Sequence, residues 1–172
     1  MVLQLTVAIL KQLQQFKLYT NGYHGLKRWI TARSLRDLDF EEHLDTIIED
    51  YVLACELLLK HIISRTSYLR RDHIHSHNVW GLACDAEIRE RDKYRTLLRR
   101  LGSFYLECRY ETDNLEDKQA IMDYFRDEEV FNTADDFLYL LYTAASDIDM
   151  SAILQQRGKN SGVREMDLFE KK

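Results

Sequence analysis

An all-α fold, most simply an antiparallel bundle of four or five helices, is predicted by three observations. The 172-residue chain has no proline and only six glycines, so little interrupts long helices. Apolar residues recur at steps of three and four over several long windows. Side chains suited to helix caps stand before those windows. The length fits one domain with a sizeable core, expected over 1–155 and followed by a flexible tail over 156–172.

The clearest window is 39–66. Phe40, Leu44, Ile47, Ile48, Tyr51, Cys55, Leu58, Leu59, Ile62 and Ile63 form a sustained face, and Val52, Leu53 and Leu57 widen it. A helix this broadly apolar belongs at the centre of the fold. Asp39 with Glu42 offers it a capping-box start. Before it, Val2, Leu5, Ile9, Leu13 and Phe16 predict a helix over 2–19. The stretch TNGYHG at 20–25 reads as a break, followed by a short helix through Leu26, Trp29 and Ile30. Beyond residue 78, one helix is predicted from Val79 to about Cys108, with a charged middle projecting into solvent and Gly102 as a close-packing point. YETDN at 110–114 reads as a loop. Asp113 with Glu116 caps a helix over 114–127, and Asn132 or Thr133 caps a last long one.

Net charge is −5 and the sequence pI about 5.7, which argues against a dedicated duplex-DNA binder but leaves room for a local basic site. No apolar run approaches the roughly 20 residues of a membrane span. Cys55, Cys84 and Cys108 are scattered and odd in number, as expected of reduced thiols in a cytoplasmic protein.

The densest chemistry lies in YLRRDHIHSHNVW, residues 68–80. His73, His75 and His77 alternate, so an extended segment would point all three imidazoles one way, as a zinc site needs. Asp72 and Asp85 are candidate further ligands, but no HExxH or CxxC accompanies the set, and no metal or other cofactor is expected. Arg70 and Arg71 suit bidentate phosphate binding. A helix starting near Ser76 would add its free amides and place His77 in the first turn. Lys60 lies on the preceding helix and can face the same cleft, or can simply pair with Glu56 four residues earlier. Histidine titrating near neutrality beside an always-charged arginine also suits metal-independent RNA cleavage. Against all of these stands a plain solvated loop in which Ser76 and Asn78 only cap a helix.

The stretch DYVLACELLLKHIISRTSYLRRDHIHSHNVWGLACDAE resembles the HEPN domain. Ala54, Glu56, Leu59 and Lys60 match its A-x-E-x-x-L-K helix, and His77, Asn78, Val79 and Leu82 match its H-[DN]-[LV]-x-x-L element. Arg109 and Tyr110 are similar to its RYPD-type element, with Glu111 where proline is usual. The resemblance spans roughly 40–148 and implies a helical bundle, often a homodimer, in prokaryotic cytoplasm. It implies nucleotide binding beside a nucleotidyltransferase partner, or RNase activity in toxin–antitoxin and phage-defence systems. Arg71 and His77 satisfy the R-x4–6-H spacing of the RNase members. That motif usually lies on a later helix, and residues 114–148 contain no histidine, which turns the reading towards the non-cleaving, nucleotide-binding branch. The chemistry of the stretch gives Lys60, Arg70, Arg71, His73, His75, His77 and Asn78 as candidate ligand-binding residues, and the resemblance adds Arg109 and Tyr110. An endoribonuclease using Arg71 and His77, and a non-catalytic module presenting helix 85–100 or the tail to a protein partner, are the rivals.

Overall fold

A computed structural model describes the backbone of residues 21–66, 76–109 and 115–166; side chains at 107–109, 115–117, 150 and 152–166 are not described. The expected 2–19 helix, the 110–114 loop and the Asp113 cap lie outside the described residues. The described chain is all-α. In order come α1 (Asn21–Leu38), α2 (Leu44–Thr66), α3 (Val79–Asp85), a 3₁₀ turn (Arg91–Tyr94), α4 (Arg95–Arg109), α5 (Leu115–Phe125) and α6 (Glu128–Met166). Among the described residues, no helix is long and apolar enough to cross a membrane.

Helix α2 is the central one, as its broad stripe predicts. Ile47, Ile48, Tyr51, Val52, Ala54, Cys55, Leu58 and Leu59 are wholly buried. Asp39 does take the Glu42 amide, at 3.0 Å, but in a turn, and the helix itself opens at Leu44. The pairs Gly25–Leu58 and Arg28–Asp50 show α1 packing antiparallel to α2. Tyr51–Asp135 and His61–Asp149 show α6 running alongside α2 in the same direction. Phe125 and Phe131, either side of the α5–α6 turn, plug the centre against Tyr51 and Phe104.

Several boundaries differ from expectation. Of the expected break at 20–25, residues 21–25 are helical and belong to α1. Its glycines serve close approach instead, since a Cβ at Gly25 would stand 3.0 Å from Leu58 Cγ and 3.1 Å from the Ala54 carbonyl oxygen. The single helix expected over 79–108 is broken at 86–94, where Glu87 takes a φ of 54°. Its apolar anchors explain this. Leu82, Ile88 and Tyr94 are each six residues apart, a spacing that places successive side chains on different faces of one helix. All three are buried only because the chain turns between them. Gly102 is not a close-packing point, since a Cβ there would meet its nearest neighbour, the Val79 nitrogen, at an ordinary 3.9 Å. Helix α6 starts four residues before the expected Asn132 cap. Asp127 accepts the Glu129 amide at 3.0 Å, and Glu128 and Glu129 complement the dipole of the first turn. Its backbone stays helical to Met166, past residue 156 where the apolar periodicity lapses.

Candidate functional site

Glu56 and Lys60 lie one turn apart on α2 and both face inward, 4% and 7% exposed. A buried ammonium needs a partner, and Lys60 Nζ meets Glu56 Oε1 at 2.6 Å. The second carboxylate oxygen, Oε2, lies 3.1 Å from His77 Nδ1. One carboxylate thus holds a lysine from its own helix and a histidine from the next segment of chain.

The local sequence holds His77 in place. Ser76 Oγ accepts the Asn78 amide at 3.1 Å, and Asn78 Oδ1 in turn accepts the Gly81 amide at 3.1 Å as the N-cap of α3. Gly81 accommodates that cap, because a Cβ there would stand 3.0 Å from the Asn78 side-chain nitrogen Nδ2. The imidazole stacks on Tyr105 of α4, with centroids 4.5 Å apart and planes 17° from parallel. Tyr105 also lines a cleft of about 480 Å³ with Asp45, Thr46, Glu49, Phe104, Lys118 and Met122.

The chemistry follows from the hydrogen bond. An ionised carboxylate only accepts, so the His77 Nδ1 carries the proton, and the neutral ring keeps its lone pair on Nε2. That nitrogen has no hydrogen-bond partner among the described residues, and the side chain is 44% exposed. Neutral, it is an acceptor or base; protonated, it is a charged donor suited to a phosphate oxygen.

Of the residues singled out in the sequence, Lys60, His77 and Asn78 are brought together. Lys60 reaches Glu56 rather than an open cleft, so its charge is neutralised internally. His77 precedes the Asn78 cap rather than sitting in the first turn of the helix, which opens at Val79 and not near Ser76. Arg70, Arg71, His73 and His75 lie outside the described residues, and with them the three-histidine set. Tyr110 does too, and Arg109 closes α4 with its side chain undescribed.

Sequence reasoning missed Tyr105 and a second polar node. Asp135 Oδ1 accepts from Trp29 Nε1 at 2.6 Å and from Tyr51 OH at 2.7 Å, while its Oδ2 faces Arg36 at 3.5 Å and Arg33 at 3.9 Å. This ties α1, α2 and α6 together. Burial, then the Asp135 charge, pushes the Tyr51 hydroxyl well above the usual tyrosine range. A signal existed: Phe131, Asp135 and Leu138 step by four and three, placing an aspartate within the apolar stripe of α6. Burial likewise pushes the Cys55 thiol far up, which removes it as a nucleophile.

Comparison of the chain with protein-family models, with curated proteins and with solved structures gave no match.

Proposed function

We propose that the chain is a HEPN-like domain that binds a nucleotide or RNA phosphate at the segment leading into α3. The observation that supports this most is the Glu56 carboxylate holding His77 by Nδ1, which leaves Nε2 of a half-exposed imidazole for a ligand. Arg71 and Arg70 precede His77 by six and seven residues in the chain and supply the charge a phosphate needs. In this reading Lys60 is no ligand. It balances the buried carboxylate that orients the histidine. The setting that fits is a toxin–antitoxin or phage-defence system in the cytoplasm, with the domain working as a homodimer beside a nucleotidyltransferase or antitoxin partner.

The same geometry favours a second reading. A histidine oriented by a carboxylate is what a general base requires, so Arg71 and His77 would equip a metal-independent endoribonuclease. Purified protein incubated with RNA in excess EDTA separates the two. The binding reading expects intact RNA retained by the protein. Cleavage that survives EDTA and disappears in both Arg71→Ala and His77→Ala would replace it with the RNase reading.

A further inference from the structure

A second surface on this acidic chain is basic and aromatic. Residues 89–100 hold six arginines and lysines against two carboxylates, in a chain whose net charge is −5. On α4, Arg95, Arg99 and Arg100 are all exposed and, with Thr96 and Ser103, line a groove of about 360 Å³. Arg95 and Arg99 lie over the half-buried indole of Trp80, 5.1 and 5.8 Å from the ring centroid, and Arg100 lies over Tyr124 at 5.7 Å.

Two arginines four apart on one helix face repel each other, and the fold does little to relieve this. Asp92 meets Arg95 at 2.7 Å, but Arg99 and Arg100 have no carboxylate partner among the described residues. The neighbouring carboxylate Asp123 is bonded to Arg126 and Gln119 instead. The surface therefore offers uncompensated, planar, donor-rich cations beside aromatic rings. Arg95 and Arg99 are about 6 Å apart along the axis, a step comparable to that between neighbouring phosphates of a strand. Guanidiniums for phosphates, held over aromatic rings so that their planes offer bases a surface to stack on, are components of a single-strand groove.

We infer that Trp80, Arg95, Arg99 and Arg100 form a binding surface for single-stranded RNA. This deepens the proposed function and rests on it for the ligand class, but the residues are separate from the Glu56–His77 pair.

Tryptophan emission tests it, because Trp29 is fully buried and only Trp80 is open to a ligand. The full chain is titrated with a 12-nucleotide oligouridylate, a duplex RNA and heparin, with a dye-labelled copy of the oligouridylate followed in parallel by anisotropy. The surface predicts quenching by the single strand, affinity that falls steeply with salt, and at least tenfold weaker binding in Arg99→Gln/Arg100→Gln. Quenching disappears in Trp80→Leu, while in His77→Ala it still reaches its full amplitude at saturation. Anisotropy that reports binding without any Trp80 quenching would overturn the surface and leave the His77 site standing. Equal affinity for heparin or duplex would overturn the single-strand assignment. Absence of RNA binding by either signal would overturn this surface and the RNA part of the proposed function, leaving its nucleotide part to be tested with a mononucleotide.

Discussion

Glu56 is the residue on which the candidate site depends. Its carboxylate is buried, and removing it leaves the Lys60 ammonium unpaired in the interior and His77 without its holder. Glu56→Ala is expected to lose about 3–5 kcal/mol in denaturant unfolding, whereas Glu56→Leu/Lys60→Met loses far less, because the desolvation cost of both charges goes with them. Equal losses in the two variants would mean that the ion pair is not what Glu56 supplies. Asp135 gives a second test. Asp135→Ala strands the buried Trp29 and Tyr51 donors, and a loss of about 2–5 kcal/mol is expected by the same measurement. Lys60, His77 and Asn78 were legible in the sequence because their partners are near in the chain or their residue types have few other uses. Tyr105 was not, since nothing in the sequence pairs it with His77, and the aspartate in the α6 stripe signalled a buried polar node without naming its Trp29 and Tyr51 donors.

Among the elements, α2 was legible because an apolar stripe running from Leu44 to Ile63 admits one period only. Residues 21–25 misled because glycine has two meanings, a helix end or a place where another helix comes close, and composition does not separate them. The packing decides: Gly25 faces the Ala54 carbonyl and Leu58, and the backbone carbonyl cannot yield as a side chain can. Gly25→Ala should therefore cost about 1–3 kcal/mol by thermal or denaturant unfolding. Were the glycine exposed within the helix, with room for a Cβ, the same change would stabilise. The break at 86–94 was hidden in the opposite way, by charged residues with good helix propensity covering a six-residue spacing of apolar anchors that no single helix can bury.

At the scale of the whole molecule, two buried titratable groups give stability opposite slopes with pH. Burial, opposed by Asp149, holds the His61 imidazole below its usual value of 6.5. The folded state then binds fewer protons than the unfolded chain, so this contribution is complete above pH 6.5 and is lost as pH falls through the folded value. Burial, opposed by Arg28, holds the Asp50 carboxyl above its usual 3.8, and its Oδ2 has no hydrogen-bond partner among the described residues. Its contribution is present below pH 3.8 and is lost as pH rises through the folded value. Denaturant unfolding between pH 7 and 5 should show a shallower decline in His61→Asn than in the natural chain, and Asp50→Asn should be more stable at pH 7 than its parent. An unchanged slope in His61→Asn would mean that the imidazole does not titrate with folding.

The proposed function requires that His77 meet a phosphate, and the most direct measurement is equilibrium binding of a fluorescent short RNA, and of a mononucleotide, to the natural chain and to His77→Ala. The side chain is half exposed, so its removal leaves the fold intact, which circular dichroism checks. Affinity for the natural chain is expected to drop at least tenfold in the variant, the worth of one charge-assisted hydrogen bond of about 1.5–3 kcal/mol. Equal affinity in the two proteins would contradict it, and would return the Glu56–His77 pair to a purely structural role.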